Sequence, residues 1–126
     1  MSLAKKYRFP VKSQYCFLLS KGKKKDSPLF NLIYSLGNQA NGFRAAVLVS
    51  KRTDKRSTAR NRIKRKVYRA LSEIIGNNFL NSGDLIIKAK KDNLNQKQLI
   101  VTQELKNLLA NIGIIKDVKM VNSETN

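Results

Sequence analysis

The chain has 126 residues, enough for one domain with a single modest core and too few for two. Its 26 Lys and Arg against 8 Asp and Glu leave a formal charge of +18, a self-repulsion that points to a polyanionic partner, nucleic acid first and an anionic membrane surface second. With no His and only Cys16, it lacks the commonest general base and metal ligand and any internal disulfide.

Residues 1–12 are basic, and Pro10 disfavours helix there. MSLAKKYRFPVKSQ lacks the apolar run of a secretory signal, and no stretch approaches the roughly 18 apolar residues of a membrane span, so the expected location is cytoplasmic. Ser13 is a good N-cap for a short amphipathic helix through Tyr15, Leu18 and Leu19, with Gly22 as its stop and Phe17 expected in the core. Lys23, Lys24, Lys25, Asp26, Ser27 and Pro28 read as a polar loop. Phe30, Leu32 and Tyr34 alternate with Asn31 and Ser35, the period of a strand. Residues 37–42 carry a turn signal, strongest at Asn41-Gly42. FRAAVLVS at 43–50 is apolar on both faces, as in a central strand.

A basic connection leads into a helix over about Thr58–Ile75, closed by Gly76, with Ile63, Val67, Ala70, Leu71 and Ile74 on one face. A strand follows from Gly83-Asp84, with Leu85, Ile87 and Ala89 on one face and Ile86, Lys88 and Lys90 on the other. The last helix runs from about Asn95, capped by Asn95 and Gln98, to Ile112, and buries Val101, Leu105, Leu108, Leu109 and Ile112. Residues 1–118 form the expected domain and 119–126 a flexible tail. Helix, strands, helix, strand and helix around one sheet make an α+β fold or small α/β sandwich.

The chemistry lies in KRTDKRSTARNRIKRKVYR, residues 51–69, which hold ten basic residues and one acid, Asp54. At 100° per residue Arg62, Arg65 and Arg69 fall opposite Ile63, and Asn61, Lys64 and Tyr68 form a flanking row. Such a helix lays its apolar stripe on a sheet and offers guanidinium forks that bind two phosphate oxygens at once. A salt-bridged surface helix is the competing reading. It needs acids, and only Glu73 lies within the helix, while like charges at i, i+3 and i+4 cost roughly 0.2–0.5 kcal/mol per pair. No short helix–turn–helix precedes the basic helix. Aromatics among lysines in the first third (Tyr7, Phe9, Tyr15, Phe17, Phe30, Tyr34) suit the stacking of unpaired bases.

VLVSKR at 47–52 followed by ARNRIKRKV at 59–67 resembles the signature of the bacterial ribonuclease P protein subunit, in which a strand ending in Ser-Lys-Lys precedes an Arg-Asn-Arg-x-Lys-Arg helix. KKYRFPVKSQYCFLLSKG at 5–22 and GDLIIKAKK at 83–91 are similar to its first helix and later strand. The resemblance implies a single-domain α/β sandwich of αβββαβα order, like ribosomal protein S5 domain 2, with a left-handed βαβ crossover against the usual preference. It implies a non-catalytic subunit of an endoribonuclease, with no catalytic or metal-binding residue of its own, partnered by the catalytic RNA and precursor tRNA. Neither a membrane nor an obligate protein partner is implied. Lys51, Arg52, Arg60, Asn61, Arg62, Lys64, Arg65 and Arg69 would contact the RNA subunit. A cleft between sheet and first helix, lined by Lys12, Tyr15, Leu19, Phe30 and Tyr34 with Lys88 and Lys90 at its rim, would hold the single-stranded 5′ leader. Mg²⁺ would be held mainly by RNA.

Departures from the family pattern are Tyr68 where many members have Arg, Leu19 where an aromatic is usual, and a loop TDKRSTA at 53–59 without Gly. Two rival readings differ in kind. Another structural RNA-binding protein, such as a ribosomal component, shares the charge and predicts no dependence on a leader. A metal-dependent nuclease needs converging carboxylates, and the acids are scattered along the chain.

Overall fold

A computed structural model describes residues 7–37, 42–77 and 80–115, with the backbone alone at 11–15. The chain runs α1 (Val11–Lys21), β1 (Lys23–Asp26), β2 (Phe30–Leu36), β3 (Phe43–Leu48), α2 (Ser57–Asn77), β4 (Gly83–Ala89), a 3₁₀ turn (Lys91–Asn95) and α3 (Gln98–Asn111). This is the αβββαβα order that the resemblance implies. The strands form one mixed sheet ordered β1-β2-β4-β3, in which β4 is antiparallel to β2 and parallel to β3.

Each sheet face carries its own core, as strand alternation requires. Phe30, Leu32, Ala45, Val47, Leu85 and Ile87 meet Ile63, Val67 and Leu71 of α2 and Val101 and Leu105 of α3. On the opposite face Ile33, Ala46 and Ile86 meet Leu18 of α1 and Phe9. The apolar stripes read for α2 and α3 are the buried ones.

Several local expectations are corrected. Lys23–Asp26, expected as loop, is an edge strand paired with Asn31–Tyr34. All four of its side chains are exposed, so hydrophobic alternation had nothing to record there. FRAAVLVS is not central: β4 lies between β2 and β3, so the 37–42 turn connects two strands that do not pair. Asn41 itself lies outside the described residues. β3 is apolar on both faces because each packs on a core, and its outer edge is covered where the Phe9 N–H donates to the Ala45 carbonyl at 3.0 Å.

α1 begins at Val11 after Pro10, whose φ of −77° is already near helical, and not at Ser13. Gly22 does follow the helix, as expected. A Cβ there would stand 2.6 Å from the Leu18 carbonyl oxygen and 2.9 Å from that of Tyr34. Phe17 is 63% exposed while its neighbour Leu18 is buried, so the core face of α1 is turned away from Phe17. Gly76 lies inside α2 instead of closing it. Asn95 ends the 3₁₀ turn, and no side chain caps α3; the Gln98 amide donates to the Lys66 carbonyl at 2.9 Å. The expected boundary at residue 118 and the tail lie outside the described residues. Among the described residues no helix is long and apolar enough to cross a membrane.

Among the described side chains of α1, Leu18 joins the smaller core. Leu18→Ala is therefore expected to cost about 2–5 kcal/mol in denaturant unfolding. Phe17→Ala on the same helix should cost far less, and equal losses would contradict this packing.

Candidate nucleic-acid interface

The loop between β3 and α2 is built around Asp54. Its carboxylate accepts the Arg56 backbone N–H at 2.9 Å and the Arg56 guanidinium at 3.1 and 3.0 Å. These Arg56 hydrogen bonds hold the Asp54 carboxyl far below the ordinary carboxylate range and raise the Arg56 pKa in return. Arg60 reaches back one turn, donating from Nη1 to the Asp54 and Lys55 carbonyls at 2.9 and 3.0 Å. The one acid of the basic segment is thus spent on the loop that starts the helix.

Beyond that clamp α2 buries Ala59, Ile63, Val67, Ala70, Leu71 and Ile74, which turns Asn61, Arg62, Arg65 and Arg69 outward as exposed side chains. Lys51 and Arg52 are exposed on the loop, and Lys64 is half-buried. Among the described residues, none of Lys51, Arg52, Arg62, Lys64, Arg65 and Arg69 has an ion-pair partner. Tyr68 of the flanking row packs against the larger core, so it is a packing residue before it is a stacking surface. Lys66 points the other way. Its Nζ donates to the Asn93, Leu94 and Gln96 carbonyls at 2.9, 3.0 and 2.5 Å, and burial, then the Arg62 charge, lowers its pKa.

The second predicted surface is sorted by strand alternation. Phe30 is fully buried and Tyr34 half-buried in the core under α2 and α3. Both therefore lie on the sheet face opposite α1, outside a cleft between α1 and the sheet. The α1 face carries Asn31 and Ile33 of β2, Ala46 and Leu48 of β3, and Ile86 and Lys88 of β4. Leu18 covers the row Ile33–Ile86–Ala46. The next row, Asp26–Asn31–Lys88–Leu48, crosses all four strands. At its β3 end Leu48, Ser50, Thr53, Lys64 and Lys88 line one open cleft, so α2 and the α1 face of the sheet share a border.

Lys88 lines that cleft on the α1 face of the sheet, and Leu19 is 37% exposed on α1. Lys90 is held by the Asp26 carboxylate and the Ser27 carbonyl at 2.9 and 2.6 Å. Lys12 and Tyr15 fall within α1, their side chains outside the described ones. Asn31 and Leu48, which were not among the expected residues, share this face with Lys88. Their signal was available: each sits one position out of register with the apolar residues that face α2.

A family model for Ribonuclease P matches residues 3–113. The chain belongs to the ribonuclease P protein family. The ribonuclease P protein of Staphylococcus aureus superposes with a TM-score of 0.74 at 19% identity, over 87% of this chain and 98% of that one. A mutant of it described as defective in mRNA degradation gives 0.75 at 21%, over 87% and 91%. The Thermotoga maritima ribonuclease P protein gives 0.72 at 19%, over 82% and 96%. No curated protein matches the chain in sequence. Family membership makes the chain the RNA-binding protein component of an endoribonuclease holoenzyme of tRNA processing, associated with ribonuclease P RNA.

Asp54 generates a pH test. Its folded-state pKa lies below the unfolded value of 3.8, so the clamp contributes stability above that pH and loses it as pH falls further. The stability advantage over Asp54→Asn should be full at neutral pH and shrink below about pH 4 in urea titrations. An advantage independent of pH would contradict the ion pair.

Proposed function

We propose that the chain binds the ribonuclease P RNA through the basic strip of α2 and the 5′ leader of precursor tRNA through the α1 face of the sheet. The observation that carries this reading is the row of Arg62, Arg65 and Arg69 without an ion-pair partner among the described residues. Guanidinium groups fixed on a rigid helix can grip RNA phosphates and screen repulsion between two RNAs. Lys51, Arg52, Asn61 and Lys64 flank that strip, while Arg60 serves it from behind by fixing the loop. On the leader side the cleft offers Lys64 and Lys88 for phosphate and Leu48 as an apolar surface, with Leu19 exposed on α1.

Hydrolysis would use Mg²⁺, which lowers the pKa of bound water and neutralises developing phosphate charge. Among the described residues no cluster of acids gathers that could hold such a cation. Asp54 is bound by Arg56, Asp84 by Arg44, Asp26 by Lys90, and Glu104 accepts hydrogen bonds from Ser27 and the Leu29 N–H. The cation would be held on RNA, and the protein would contribute affinity and position.

The test is reconstitution with a bacterial ribonuclease P RNA at low Mg²⁺, measuring cleavage of precursor tRNA with long and short leaders. Stimulation that grows with leader length is expected; stimulation blind to leader length would overturn leader binding. Arg62→Ala with Arg65→Ala should weaken RNA-subunit binding and reduce the salt slope by about 1.5, at roughly 0.7–0.9 per phosphate contact, with unfolding unchanged. Loss of the fold in that variant would favour a structural role for the strip.

A further inference from the structure

We infer that β1 is a second phosphate-binding edge, on which the leader is held after it has crossed the sheet. This rests on the leader-binding reading above and extends it by a path. Lys21, Lys23, Lys24 and Lys25 place four ammonium groups within five residues at the junction of α1 and β1, all on exposed residues. Asp26, the acid next to them, is taken by Lys90 and by the Asn31 amide at 3.1 Å. The cluster therefore keeps its net positive charge.

Its position gives that charge a direction. β1 is the outer strand on the side of the sheet away from β3, whose end leads into α2. The row Leu48–Lys88–Asn31–Asp26 joins the two edges on the α1 face, about 14 Å long at three strand spacings of roughly 4.8 Å. A single RNA strand entering at the cleft by Lys64 and Lys88 and running along this row reaches β1. Lys24 shares the α1 face there with Ile33, and Lys23 and Lys25 flank it on the other face with Tyr34 and Leu32. Long flexible lysines at an outer strand can follow phosphates without reading bases.

Edge lysines also serve as guards against strand pairing between molecules. Charge reversal separates the two roles, because glutamates guard an edge as well as lysines and repel phosphate. In holoenzyme reconstituted with ribonuclease P RNA, K23E/K24E/K25E should weaken binding of long-leader precursor tRNA on the order of tenfold at low salt and reduce its salt slope by about 2. Binding of short-leader substrate should hold, whereas a general loss of charge would weaken both alike and overturn the inference. K23Q/K24Q/K25Q should give a smaller effect of the same kind. Wild-type leader dependence that survives unchanged in the Glu variant overturns the β1 edge alone. Absence of leader dependence in the wild type overturns the leader reading together with it.

Discussion

The apolar stripe of α2 is what lets the rest of the molecule carry its charge. Arg62 has Arg65 and Lys66 as neighbours at i+3 and i+4, and Arg65 has Arg69, each contact costing about 0.2–0.5 kcal/mol in an isolated helix. Ile63, Val67, Leu71 and Ile74 are fully or almost fully buried, and each such side chain contributes roughly 1.5–3 kcal/mol. Burial wins by a wide margin. The helix is thus held by the sheet, and repulsion along its outer face remains available to be relieved by an anionic partner.

The sheet beneath it has two unlike faces, and that difference creates the second surface. Under α2 and α3 the three strands β2, β3 and β4 contribute apolar residues at alternate positions, among them Phe30, Leu32, Val47, Leu85 and Ile87, so that face is closed. On the other face Leu18 of α1 covers one row, and the next row carries Asn31, Lys88 and Asp26. Arg44 steadies this side: its guanidinium pairs with Asp84 at 2.9 and 3.1 Å and lies 5.5 Å from the centroid of Phe9. That contact fastens the segment leading into α1, and with it the wall of the groove.

Long periodic elements were legible in the sequence because burial imposes their period. The faces of α2, β4 and α3 could be read residue by residue, and so could the outward row Arg62, Arg65 and Arg69. β1 was hidden because a fully exposed edge strand carries no apolar alternation. The strand order was hidden because an Asn-Gly turn says nothing of β4 inserting between the strands it connects. Phe30 and Tyr34 illustrate a subtler limit. Their alternation showed that they share a face, and which helix covers that face is a tertiary fact.

Charge counting had a similar limit, and its resolution gives the interface its shape. Of the ten basic residues between Lys51 and Arg69, Arg56, Arg60 and Lys66 are held by a carboxylate or by backbone carbonyls, Arg56 from an exposed position. Nothing in composition separates them from Arg62 or Arg65. Their partners do: Asp54 lies two residues before Arg56, and Lys66 meets a 3₁₀ turn some thirty residues away in sequence. Arg56 and Arg60 fix the loop to the first turn of α2, and Lys66 fixes α2 to the 3₁₀ turn. The outward residues are consequently presented from a rigid frame, and on the reading proposed above less conformational freedom would be lost on meeting phosphate. A basic segment whose charges all faced solvent would match this one in formula and bind with less geometric discrimination.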